Sequence, residues 1–344
     1  MSDRLSAGFL SVTQHAKLKC IKLERQYDLV FAALSWERRV TTGLAAAQNL
    51  SGKLVLMKFA SSNVETDNAK EDAFRRFQEL YSAERLNLDA STDFPKNAHR
   101  IEAFFKDLCV EAKRPLRVLL DITCIPKSYL LFILGLGFSR NYIARLDCVY
   151  AEGAYTLADH AEDADDTERA RGLISEGDWD SLQIPYLGAE RAIPNARDLF
   201  VAMGGEIGLS LPFIEKYEPA KLGLVLINES LVQTPEKLIA SERIALRELL
   251  LEPNVIRKDI GLCNVVQFVR EAMRFCNDSK VDAVSGIALG AKPHALALGI
   301  AALSRPNLEV ICRIPKRYRP LNVAPTGELA FYEIEDRFEP VAYL

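Results

Sequence analysis

The chain has little of what usually marks a membrane, metal or dinucleotide-binding protein. No stretch of its 344 residues approaches the roughly 18 uninterrupted apolar positions of a spanning helix, so neither a membrane span nor a membrane partner is expected. Met1-Ser2-Asp3-Arg4 leads into no sustained apolar core, which argues against a secretory leader. A formal net charge of −4 excludes sequence-blind coating of DNA, which needs a strongly basic surface, although a local basic patch is compatible with it. The seven cysteines form no CxxC pair, are odd in number, and several lie in apolar runs. That is the pattern of buried thiols in a reducing cytoplasm. Four histidines without Cys/His ligand spacing argue against a zinc site, and no cofactor is called for. No GxGxxG follows the first apolar strand of either half. The stretch from Gly286 to Pro293 fails the GxxxxGK[ST] spacing of a phosphate loop, so conventional dinucleotide or P-loop binding is disfavoured.

What the sequence does contain is a repeat. Asp28-Leu29-Val30-Phe31-Ala32-Ala33-Leu34 with Glu37 matches Asp198-Leu199-Phe200-Val201-Ala202-Met203 with Glu206. Lys53-Leu54-Val55-Leu56 matches Lys221-Leu222-Gly223-Leu224. The segment from Arg117 to Lys127 matches that from Val281 to Pro293, and each half then closes on a strand and a tyrosine, Tyr155 and Tyr318. The offset stays near about 170 residues, as a duplication with a few loop indels would give. Apolar runs at 29–34, 53–59, 116–121 and 145–150 read as strands, with helical periodicity at 37–49, 69–86, 97–112 and 127–138. The second half reads as strands at 199–203, 222–227, 282–285 and 308–313, with helices at 206–217, 236–250, 263–276 and 291–303. Strands alternating with helices imply parallel pairing through right-handed crossovers. The expected fold is α/β, two tandem Rossmann-like parallel-sheet units related by internal duplication. Residues 1–157 form the first unit, 158–188 an acidic linker, and 189–344 the second unit with a C-terminal strand or hairpin arm at 329–334.

In an open parallel sheet, ligands bind beyond the carboxyl ends of the strands, and four segments fall there. Ser35-Trp36-Glu37-Arg38-Arg39 follows the first strand, where a serine cap and a helix N-terminus present N–H groups to an anion and the two arginines add charge. The matching Gly204 and Gly205 permit close backbone approach. Asp121, Thr123 and Lys127 follow a buried strand and open a helix; a carboxylate there must be hydrogen-bonded or face a cleft. Gly286, Gly290 and Lys292 form the corresponding junction of the second half, followed by His294. The basic run from Arg313 to Arg319, with Lys316, Arg317 and Tyr318 within it, follows the last strand of the second half and suits phosphate and base contact. Each segment has an ordinary reading too, as cap, local ion pair, boundary residue or solvated loop.

The junction Gly290-Ala291-Lys292-Pro293 resembles the Gly-Thr-Lys junction of CRISPR-associated Rossmann-fold (CARF) sensor domains, and Asp121-Ile122-Thr123 with Lys127 is similar to a degraded version of it. Ala291 stands where that pattern has threonine, and the first-half junction lacks glycine. The resemblance implies a cyclic oligonucleotide bound across a twofold or pseudo-twofold seam, lined by Lys292, Gly290, Lys127 and Thr123 with Ser35, Trp36 and Gly204, in a protein of bacterial antiviral defence. Three functions follow. The first is a sensor for an anionic nucleotide. The second is a hydrolase of a nucleotide or nucleic acid using Asp121, Glu37, Glu206 or His294. The third is a non-catalytic subunit whose apolar helices at 129–134 and 295–300 meet a protein partner from the same operon or a second copy of the chain.

Overall fold

The computed structural model describes residues 3–154, 175–188, 197–203, 214–215, 217–227, 240–318 and 323–338. The chain divides into two compact units, unit 1 being Met1–Ala154 with Tyr318–Leu344 and unit 2 being Tyr155–Arg317. The strands are β1 (Asp3–Ala7), β2 (Leu10–Leu18), β3 (Ile21–Lys22), β4 (Leu29–Ala33), β5 (Ala47–Gln48), β6 (Lys53–Phe59), β7 (Ala83–Leu88), β8 (Leu116–Asp121) and β9 (Ile143–Ala154). They continue as β10 (Ser175–Gln183), β11 (Arg197–Ala202), β12 (Lys221–Leu226), β13 (Val255–Asp259), β14 (Ala283–Ala288), β15 (Leu308–Tyr318) and β16 (Ala324–Asp336). The helices are α1 (Thr42–Ala45), α2 (Val64–Leu80), α3 (Phe94–Ala112), α4 (Lys127–Ser139), α5 (Ala240–Leu251), α6 (Val265–Asp278) and α7 (Lys292–Ser304).

Unit 1 carries an eight-stranded sheet in the order β1-β2-β16-β9-β8-β4-β6-β7. Its parallel part, β9-β8-β4-β6-β7, is the doubly wound order 3-2-1-4-5 when each strand is ranked by its place in the chain. Unit 2 carries a six-stranded sheet, β10-β15-β14-β11-β12-β13, and its parallel strands β11 to β15 repeat that order. The duplication read from sequence is therefore present at the level of topology. It extends to details. Asp28, ahead of β4, accepts Arg114 and the Arg117 N–H, and Asp198, at the start of β11, accepts the Ser279 hydroxyl at 2.6 Å. In each unit the opening aspartate thus ties the base of the first strand to the entry of the fourth.

The central strands form because their residues are apolar on both faces. Every residue of β4 and β14 is buried, as a sheet covered by helices on both sides requires. Helices α4 and α7, 13 residues each, are buried nearly all round, which is why neither shows an amphipathic stripe. Phe9, between β1 and β2, meets Phe138 of α4 edge-on, with ring centroids 6.3 Å apart, so the N-terminal hairpin helps cover that helix.

The structure departs from the sequence expectations in several places. The expected helix at 37–49 is a 3-10 turn (Arg38–Thr41), the short α1 and then β5. The helix expected at 97–112 begins earlier, at Phe94, with Pro95 in its first turn, where a proline lacks only an N–H that has no helical partner. The helix expected to run to 86 ends at Leu80, and the polar strand β7 follows. The acidic segment 158–188 is not all linker, because it contains β10, the edge of the second sheet. The C-terminal strand belongs to unit 1. β16 lies antiparallel between β2 and β9, its Tyr332 opposite Cys148 and Ile334 opposite Leu146. Unit 2 is thus inserted into unit 1 rather than following it. The helix expected at 206–217 and Tyr155 lie almost wholly outside the described residues.

Candidate ligand-binding site at the switch points

In a 3-2-1-4-5 sheet the helices after the first and fourth strands depart to opposite faces, leaving a crevice between the two loops. In unit 1 those loops follow β4 and β8. In unit 2 they follow β11 and β14.

The unit 1 loops meet at one residue. Thr123, 1 % exposed, accepts the Ala151 N–H at its Oγ1 over 2.9 Å. Arg39, also 1 % exposed, donates from Nη1 to the Ala151 carbonyl over 3.1 Å and reaches the Tyr150 hydroxyl at 3.5 Å. Its Nε donates to Glu37 at 2.7 Å, forming an ion pair within the loop after β4 in which the guanidinium is buried and the carboxylate partly exposed. Such a pair is costly to break from one side, because the surviving charge is left desolvated. Asp121, 2 % exposed, caps its own loop by accepting the Thr123 N–H at 2.9 Å. Gly43 in α1 packs onto it. A Cβ there would lie 2.6 Å from Asp121 Oδ2 and 2.9 Å from Val149, so only glycine lets α1 approach this closely.

The predicted residues sort as follows. Ser35 is buried and accepts the Glu37 N–H at 3.3 Å, a local cap; Trp36 beside it is half-buried and Arg38 is exposed. Asp121 and Thr123 are brought together, and Lys127 is the first residue of α4 and half-buried. In unit 2, the Gly290 N–H donates to the Ala202 carbonyl at 2.6 Å, tying the loop after β14 to the end of β11, and Lys292 is the first residue of α7. Gly286 is not in this loop. It lies inside β14, where an added Cβ would meet Leu298 of α7 at 2.7 Å, so its place is one of helix-on-sheet packing. Arg313 is not beyond the last strand either, because β15 continues to Tyr318 and holds it within the strand. Gly204 and Gly205, Glu206 and the side chain of Arg317 lie outside the described residues.

His294, considered above as an acid or base, is fully buried. Its Nε2 donates to the Gly261 carbonyl at 3.0 Å, and its ring lies 4.8 Å from that of Phe268. Burial brings its pKa down to about 4, so the ring is neutral. Tyr129 takes the same place in unit 1. It is fully buried in the first turn of α4, donates to the Ser91 carbonyl and accepts from Asn97. Burial pushes its hydroxyl up to about 12. Both residues tie the helix after the fourth strand to the loop after the third.

No protein-family model matches the chain, and no curated protein does. Among solved structures the chain is similar to the cytoplasmic domain of a prokaryotic cation chloride cotransporter, at 10 % identity and a TM-score of 0.24, with 86 % of this chain and 99 % of that one covered. It is also similar to a putative universal stress protein from Pseudomonas aeruginosa, at 9 % identity and a TM-score of 0.21, covering 83 % and 92 %. A keto acid-selecting NRPS module gives 10 % identity and a TM-score of 0.20, covering 88 % of this chain and 34 % of that one. At such TM-scores these likenesses carry no functional argument.

Sequence reasoning offered Arg39 only as one of two arginines facing an anion and missed its hold on Ala151, as it missed Gly43. Nothing local separates the exposed Arg38 from the buried Arg39; the difference lies in a carbonyl more than a hundred positions away in the chain. Among the described residues, no group of His, Cys, Asp and Glu is arranged to hold a metal ion, and no helix is long and apolar enough to cross a membrane.

Proposed function

We propose that this chain is a nucleotide-sensing regulatory protein that binds an anionic ligand at its switch-point loops. The observation that carries the reading is the repetition of one arrangement: in both units the helix after the fourth strand begins with a lysine, Lys127 or Lys292, beside the switch-point crevice. A helix N-terminus with an adjacent cation suits phosphate. Gly290 and Thr123 belong to the loops ahead of those lysines, and Ser35 and Trp36 belong to the loop after β4 on the other side of the unit 1 switch point. The resemblance to CARF domains extends the proposal to cyclic oligonucleotides and to a cytoplasmic role in bacterial antiviral defence, with a protein partner from the same operon or a second copy of the chain receiving the signal.

Thermal unfolding against mono-, di- and cyclic nucleotides, cyclic oligoadenylates and NAD tests this. A ligand at a hundred times its Kd stabilises by about 2.7 kcal/mol, several degrees for units of this size. One nucleotide class is expected to raise Tm, and Lys292→Glu to abolish the rise without lowering the unliganded Tm. A flat response across the panel would contradict the reading. Turnover of the selected nucleotide, lost in Asp121→Asn, would instead make unit 1 an enzyme, a reading favoured by the carboxylates Asp121 and Glu37 at its switch point, where unit 2 has Ala288 opposite Asp121 in the repeat.

A further inference from the structure

We propose that the charged cluster spanning β2, β16 and β9 is a proton-linked latch: one proton held on Asp147 keeps the C-terminal strand β16 tightly paired, and its loss loosens that strand. The latch concerns unit 1 alone and is independent of the ligand reading.

β16 lies between β2 and β9, and from Leu329 to Glu335 its pairing with β9 runs in unbroken register. Glu333 stands directly opposite Asp147 in that register, and Glu335 opposite Arg145. Two carboxylates therefore face each other across neighbouring strands, which is destabilising when both are charged. The groups around them come from four segments. Arg145 of β9 sits among three carboxylates: its Nε donates to Asp147 Oδ2 at 3.1 Å, and its two Nη atoms meet Glu333 and Glu335 of β16. Tyr27, ahead of β4, donates to Asp147 Oδ2 at 2.7 Å. Arg25, in the same segment, pairs with Glu335 at 2.7 Å, and His15 of β2 meets Glu333 at 3.2 Å.

The charges do not balance. Three carboxylates share two guanidiniums, so while the His15 ring is neutral the cluster carries one negative charge in excess. Asp147 is the member least able to bear it. Its side chain is 1 % exposed, against 25 % for Glu333 and 37 % for Glu335. Arg145 favours its ionised form, but that guanidinium is divided among three acids. Burial, reinforced by Glu333, outweighs the Tyr27 hydrogen bond, Arg25 and His15 and raises the Asp147 pKa to about 7. Oδ1 has no hydrogen-bond partner, so a proton there leaves both bonds at Oδ2 intact. Because the folded pKa lies above the ordinary 3.8, the latch contributes fully below 3.8 and is lost as pH rises through 7.

Infrared spectroscopy of the full chain detects the proton. At pH 6 a protonated-carboxyl C=O band is expected in wild type, absent from Asp147→Asn and vanishing as pH rises through 7. No such band in wild type at pH 6 would mean that Arg145 holds Asp147 ionised, and would overturn the proposal. Hydrogen–deuterium exchange, corrected for the intrinsic rate at each pH, reads the strand. Protection of the amides of 330–335 should fall by about tenfold between pH 6 and pH 8 in wild type, while α6 of unit 2 keeps its protection. Asp147→Asn stays neutral and still accepts from Tyr27, so its protection should be constant across that range. Equal protection of 330–335 at both pH values in wild type would make Asp147 a merely structural acid and overturn the latch. Glu333→Gln removes the facing charge at a partly exposed position and should move the disappearance of the band to lower pH. It decides alone if Asp147→Asn does not fold, and an unchanged midpoint contradicts repulsion across the ladder.

Discussion

The two units share a strand order but differ in how their switch points are filled. In unit 1 the loops are locked to the sheet by buried polar groups, with Arg39, Glu37, Asp121 and Thr123 converging around Ala151. In unit 2 the corresponding loop after β14 runs through Gly290 and Ala291 and is held to β11 by a backbone bond. Lower in the sheet both units carry a polar cluster, built from different residues. Unit 2 places a polar cluster lower in its sheet, where Arg197 and Ser285 both donate to Glu309 at 2.7 and 2.5 Å. Unit 1 has Tyr27 donating to Asp147 at 2.7 Å, with Arg145 paired to the same carboxylate. The same scaffold thus tolerates different polar fillings at both ends of its strands, provided each buried group finds a partner.

The largest expected effects test whether the units stand alone. Phe105 on α3 and Phe268 on α6 are fully buried, and truncating either to alanine should cost about 3–5 kcal/mol. With Trp179 replaced by Phe, Trp36 alone reports on unit 1. Phe268→Ala should then leave the Trp36 unfolding transition in place, whereas Phe105→Ala should move it to lower temperature. Movement of the Trp36 transition by Phe268→Ala would show that the units unfold together.

The next effect places the units at opposite ends of the pH scale. His294, with its folded pKa near 4 against an ordinary 6.5, is neutral when folded and takes a proton more readily when unfolded. Its contribution is therefore complete above pH 6.5 and is lost progressively as pH falls towards 4, by about 3 kcal/mol at most. Tyr129, raised to about 12, keeps its proton when folded, so its contribution is complete below pH 10 and is lost as pH rises towards 12. Urea titrations across pH should show His294→Phe flattening the acid side and Tyr129→Phe the alkaline side. Unchanged profiles would contradict the shared tie between helix and loop. A smaller effect concerns the opening aspartates. Asp28→Asn should cost about 1–2 kcal/mol and Asp198→Asn nearer 1, because Asp28 binds a charged guanidinium as well as a backbone N–H. Equal costs in the two units would remove that distinction.

The parts legible in the sequence were those whose cause is local. β4, β6, β8, β11 and β12 are buried apolar runs, and they were found almost to the residue. β7 and β13 were missed because each is an edge strand with most of its residues polar or exposed, Glu84 and Arg85 in one and Arg257 and Lys258 in the other. The return of β16 to the first sheet was not legible, because strand partnership across an inserted unit leaves no mark in either segment. At the site, Ser35, Asp121 and Thr123 could be found from their position after buried strands. Arg39 could be placed after the first strand as a cation, but its bond to Ala151 could not be read, and neither could Gly43, which is set by the space left beside Asp121.

The measurement that bears most directly on the account is a calorimetric titration of the nucleotide selected by the thermal panel into wild type, Lys127→Glu and Lys292→Glu. The account predicts that wild type binds and that at least one reversal weakens binding by tenfold or more, about 1.4 kcal/mol, while both variants keep the wild-type Tm. Binding at wild-type affinity by both variants would contradict the placement of the ligand at the switch-point lysines.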